Sequence, residues 1–238
     1  MYSRDFVTPF YSKIALVRAL GLIPETNNNA PKKLYRFLTD PDYADQFVNG
    51  CIKLSTLKIC RAFDNPGRGD AAEGSLIYRS SGVKGKWDDP HILETCRRSG
   101  IDVRGSENVQ ISNTQNFIAL EDGIILCLTS DFIPDKMNSD IGQYCVEISN
   151  PRRFFYEITA ELMRKHIIKN TLMGQVQYIG RELNDLEPLK APIAFLKPVD
   201  GYAYQKEIRM YWEVENSRSL TAEYINLPHA KKYCKRIL

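Results

Sequence analysis

No two of the six cysteines stand at C-x-x-C spacing, and no histidine lies at ligand spacing from any of them. That pattern speaks against a zinc frame or a disulfide framework and for reduced thiols acting as small hydrophobes, as Cys127 and Cys145 do inside apolar runs. Nor does any apolar run approach the ~18 residues that a membrane span requires. No signal-peptide pattern opens the chain, so the expectation is a cytoplasmic protein with no membrane partner. Charge of one sign is also scarce. The net charge of +3 argues against a protein that lives on nucleic-acid phosphates and permits an anionic ligand. Gly67 and Gly69 match neither phosphate-loop nor dinucleotide spacing and read as a flexible turn. The three histidines form no cluster: His166 reads as a surface residue near a helix end, and His91 and His229 carry no motif. No internal repeat is present. What remains is 238 residues with 43% hydrophobic content, enough for a substantial core.

Along the chain, residues 1–31 read as a short amphipathic helix (Ile14, Leu16, Val17 and Leu20, closed by Gly21) and a polar linker. Residues 32–238 read as one α+β domain. "KKLYRFL" is a strand and "DPDYADQFVNG" a helix capped by Asp40 or Asp42; "CIKLSTL" returns as a strand. Residues 64–116 are rich in Gly, Asp, Asn and Ser, and suggest a loop-rich insertion that packs less regularly than its surroundings. Asp122-Gly123 suggests a hairpin turn between two strands, and "GQYCVEIS" a further strand. "TAELMRKHIIKN" suggests a helix capped by Thr159, "QVQYIG" a strand, and "HAKKYCKRIL" a basic, helical tail. In "YAYQKEIRMYWEV", Ile208, Met210, Trp212 and Val214 alternate with Gln205, Glu207, Arg209, Tyr211 and Glu213. The polar face of this late strand is either a wet edge or the floor of a site.

Four pieces carry possible chemistry: Arg36 inside the apolar "LYRFL"; Ser55 and Thr56 on the next strand; Arg61, Asp70 and Glu73 among glycines; and Gln205 with Glu207. Each has an ordinary reading as a surface arginine, an everyday strand pair, a solvated turn or an ion-pair ladder.

An Arg on an early strand, a Ser-Thr pair on the following strand and a Gln-x-Glu on a late strand resemble the R-S-E signature of the ADP-ribosyltransferase fold. The resemblance implies mostly antiparallel sheets in a split sandwich with a few flanking helices, and NAD as substrate with no metal. It implies that Arg36 binds the NAD phosphates or ribose and that Ser55 and Thr56 brace the nicotinamide pocket, with Leu57 in place of a third hydroxyl. Glu207 would hold the ribose and stabilise the cation left when nicotinamide departs, and Gln205 would face the acceptor. Arg36, Ser55 and Glu207 should then surround one cleft. The order "LYRF … CIKLSTLKICRAFD … GDAAEG … YQKEIRMYW" is also similar to a bacterial family of unknown function often found among defence genes. That likeness adds Arg61, Asp70 and Glu73 to the same site as substrate-binding residues. The expectation is an NAD-dependent ADP-ribosyltransferase-like enzyme, a toxin or anti-phage effector. It would act on a protein or nucleic-acid acceptor, and an inhibitory partner would hold it in check. The alternatives are an NAD hydrolase, a metal-dependent nuclease using Asp70, Glu73 and Glu207, and a non-catalytic binding or regulatory module.

Overall fold

A computed structural model describes residues 31–64, 68–137 and 141–238; the N-terminal helix and linker expected over residues 1–31 lie almost wholly outside them. The described chain is mixed α+β, with mostly antiparallel sheets and few helices. In order the elements are β1 (Leu34–Leu38), α1 (Pro41–Val48), β2 (Cys51–Thr56), α2 (Leu57–Arg61), β3 (Ser75–Gly85), α3 (Pro90–Ser99), β4 (Val109–Ala119) and β5 (Ile124–Thr129). Then follow α4 (Pro134–Met137), β6 (Tyr144–Ile148), α5 (Pro151–Leu162), β7 (Ile168–Gln175), β8 (Gln177–Tyr178), β9 (Glu182–Asn184), β10 (Leu196–Lys197), β11 (Glu207–Val214), β12 (Glu223–Asn226) and β13 (Cys234–Arg236).

The chain forms two compact units. The first holds the chain up to Ala71, Glu121–Val176 and Ala203–Leu238; the second holds Ala72–Leu120 and Gln177–Tyr202. The second unit is assembled from two separate chain segments.

In the first unit, β11 lies between β5 and β7 and is antiparallel to both. β5 pairs with β11 along its whole length, so its other edge must serve two further strands. β1 takes that edge at Thr129, opposite Tyr35, while β2 takes it at Ile125 and Ile124, opposite Ser55 and Thr56. The sheet therefore splits at β5, one branch running on through β1, β6 and β13 and the other through β2 and β12. One face is apolar. Ile124, Leu126, Leu128, Ile208, Met210, Trp212 and Val214 meet Ala44 and Phe47 of α1 and Phe154, Phe155, Ile158 and Leu162 of α5. Trp212 donates its indole N–H to Thr159 Oγ1 at 2.8 Å, which fixes the tryptophan against the helix.

Local signals explain the well-read elements. The Asp40 side chain accepts from Asp42 N at 2.8 Å, and Pro41 opens α1, the arrangement that frees no amide and presets φ. Four expectations fail. Thr159 lies inside α5, whose cap is Asn150 accepting from Arg153 N at 3.1 Å; residues 168–175 are strand β7. His166 falls in the turn between α5 and β7, where Nε2 pairs with Glu223. β4 and β5 do not form a hairpin about Asp122-Gly123, because β4 pairs with β3 in the second unit. The C-terminal segment is a short 3-10 turn (Ala230–Lys232) and then β13, paired to β6.

In the second unit, β3 and β4 are 11-residue antiparallel partners, and β9 adds parallel to β3. Ile92 and Cys96 of α3 cover Val109 and Ile111. The stretch expected to be loop-rich thus holds two 11-residue strands, the second running on to Ala119, and a helix, and Ser75, Ser80, Ser81, Gly82, Gly85 and Ser112 lie within the strands.

Candidate active site

The polar alternation of β11 is neither a wet edge nor solvated. Directly opposed antiparallel residues share a face, so Glu207 aligns with Thr129 and Tyr35, Arg209 with Cys127, and Tyr211 with Ile125 and Ser55. These residues stand on the face opposite the apolar core. Arg209 Nε donates to Glu207 Oε1 at 2.8 Å, with side-chain exposures of 0% and 3%. An ion pair with both members out of water holds its geometry tightly, since removing either charge strands the other. Its signal in the sequence was the acid and base two residues apart on a strand, and Arg209 was not among the expected site residues.

Ser55 is half-buried on the same face, its Oγ 3.9 Å from Cys60 Sγ. Tyr211 continues the row. Burial, then Glu213 and Asp122, push its phenol up to about 12, against the opposing pull of Arg61. Gly123 permits this placement: a Cβ there would stand 2.5 Å from the Tyr211 ring. Arg61 ends α2 within electrostatic reach of Tyr211. Asp70 is buried and its backbone N–H donates to Cys60 O at 3.1 Å, which sets the Asp70 segment against α2.

Arg36 approaches from β1. Its neighbours Leu34 and Leu38 belong to the apolar face, and so does Val146 across the β1–β6 ladder. Its Cβ therefore leaves the strand on that side. The guanidinium donates through Nη1 to the carbonyl of Cys127, in the stretch of β5 that β1 and β2 leave unpaired. Of the three residues expected around one cleft, Ser55 and Glu207 share a face. Arg36 starts from the other face and reaches the split.

Three expected roles change. The Thr56 hydroxyl accepts from Ile59 N at 3.3 Å and caps α2; the residue is fully buried on the core side, opposite Ile124. Gln205 lies in a 3-10 turn (Ala203–Gln205), and Lys206 has φ +48°. The two-residue alternation that would put Gln205 beside Glu207 is therefore interrupted before β11 starts. Glu73 belongs to the second unit, buried with its Oε2 3.9 Å from Lys197 Nζ. Lys197 in turn lies over the Tyr202 ring at 4.9 Å. Among the described residues no group of three or more His, Cys, Asp or Glu side chains is placed to hold a metal ion, and no helix is long and apolar enough to cross a membrane.

Comparison with known proteins gives no match to a family model, a curated protein or a solved structure.

Proposed function

We propose that the first unit is an NAD-using, ADP-ribosyltransferase-like enzyme, acting as a transferase or a glycohydrolase. One observation carries the reading. Three strands distant in sequence, β1, β2 and β11, all pair with β5. They bring Ser55 and Glu207 onto one face and the Arg36 guanidinium to the β5 backbone between them.

The chemistry follows from the side chains. When nicotinamide leaves, the ribose carbon becomes cationic, and a fixed carboxylate beside it lowers the barrier. Arg209 orients the Glu207 carboxylate through one oxygen. This positioning is paid in advance by the fold and costs no reorganisation during reaction. Arg36 presents a planar fork suited to a diphosphate.

The test is incubation of the purified protein with NAD, with nicotinamide release followed by chromatography in the presence and absence of EDTA. Release should occur, should be indifferent to EDTA, and should fall roughly 10²–10³-fold in Glu207→Gln, the size of effect expected for losing one placed electrostatic stabiliser. Folded wild-type protein that consumes no NAD overturns the reading, as does full turnover by Glu207→Gln. EDTA-sensitive cleavage of nucleic acid without NAD consumption would point to the nuclease alternative.

A further inference from the structure

We infer that Arg68 is the second guanidinium of an anion site that it forms with Arg36, and that the pair binds one doubly charged anion of the diphosphate class. The inference rests on the reading above for the identity of that diphosphate as NAD's own; the pairing of the two arginines stands without it.

Arg68 is half-buried, lies over the Phe63 ring at 5.8 Å, and donates through Nη2 to the carbonyl of Ile141. The position of Ile141 is tied to β1. Its side chain packs against the cluster of Phe37, Met137 and Cys145, in which Phe37 is the β1 neighbour of Arg36. At the next residue, Gly142, a Cβ would stand 2.2 Å from the backbone of Leu38, so the segment lies directly on the end of β1. Arg68 is thereby held beside the strand that carries Arg36. Burial first, and the Arg36 charge second, hold the Arg68 guanidinium below the usual arginine range.

Two partly buried cations near each other ordinarily gather carboxylates, because desolvated charge is costly unless paired. Here the acceptors are neutral: Cys127 O for Arg36 and Ile141 O for Arg68. Neither arginine has an ion pair with a carboxylate among the described residues. Each guanidinium has five N–H donors in a fork that fits phosphate oxygens bidentately. An anion bridging the two would relieve their mutual repulsion and use those donors. A carboxylate, with two oxygens and one charge, satisfies one fork; a diphosphate has the charge and oxygens for both.

Inorganic pyrophosphate is the probe, with binding to the full chain measured by calorimetry. Wild type should bind it, and more weakly as salt rises. Arg68→Gln should bind at least tenfold more weakly, and Arg68→Lys should also lose affinity because a point charge does not replace a fork. Arg97→Gln, which alters an exposed arginine paired to Glu94, should change nothing. If Arg68→Gln does not fold, phenylglyoxal modification of the wild type decides: pyrophosphate should protect Arg36 and Arg68 together. Absence of pyrophosphate binding, affinity within twofold of wild type in folded Arg68→Gln, or no protection overturns the inference. Pyrophosphate binding that needs both arginines, in a protein that never consumes NAD, keeps this inference and removes the enzyme reading. NAD consumption with unchanged affinity in Arg68→Gln does the reverse.

Discussion

Glu207 and Arg209 meet at 2.8 Å with both side chains out of water, where a charge is costly unless it is paired. A carboxylate on an open cleft wall would accept Glu207→Gln with a stability change below about 1 kcal/mol, but the carboxylate here is buried against a guanidinium. Glu207→Gln removes the carboxylate charge that Arg209 Nε meets at 2.8 Å, and breaking a buried pair costs about 3–5 kcal/mol, with the amide oxygen recovering part of it. The double substitution Glu207→Gln/Arg209→Met removes both charges and should regain most of the loss, seen as recovery of the urea midpoint at constant slope. Nicotinamide release should stay low in both variants. Recovery of stability without recovery of activity separates the carboxylate's chemical role from its structural one. Equal stability of the single and double variants would show that the pair is not energetically coupled.

At the scale of elements, adjacent residues of β2 divide the work. Thr56 is on the core side and caps α2, while Ser55 stands with Glu207. Thr56→Ala should cost about 1 kcal/mol in thermal or urea unfolding and leave nicotinamide release per folded molecule unchanged. Ser55→Ala should leave stability within about 0.5 kcal/mol and lower release. The opposite pattern would reverse the assignment. β1, α1 and β2 were legible because their signals are local: Asp40 and Pro41 start the helix, and the strands alternate. The start of α5 at Asn150-Pro151 was missed because Pro151-Arg152-Arg153 opens it without an apolar stripe, and the basic run after Thr159 drew the helix too far along. Nothing short-range marks β5 as the partner of β1, β2 and β11, since those contacts join residues far apart in sequence. The types of Arg36, Ser55 and Glu207 were legible. The face from which Arg36 leaves, the burial of Glu207 and the contribution of Arg68 depend on sheet register and on loop packing, which composition does not encode.

For the whole molecule, none of the six cysteines is joined in a disulfide. Cys96, Cys145 and Cys234 are buried, and burial first pushes the Cys145 and Cys234 thiols up to about 12. Because the thiolate is the nucleophile, these groups are protected both by access and by protonation. Alkylation of native protein at pH 8, mapped by mass spectrometry, should label Cys51, Cys60 and Cys127 alone, and all six after denaturation. Rapid native labelling of Cys145 or Cys234 would mean that the first unit opens far more readily than its buried core implies.

The place of β11 also governs how the protein comes into being. The strand between β5 and β7 is synthesised after both of its neighbours, at roughly 5–20 residues per second. Until it arrives, the nascent sheet has an open slot at its middle, and pairing across such long separations is slow to nucleate. The same strand carries Glu207. A chain halted early on the ribosome, or cut short by a premature stop before residue 207, lacks both the carboxylate and the strand that would seat it. Any activity centred on Glu207 is therefore withheld from every translation product that stops before that residue.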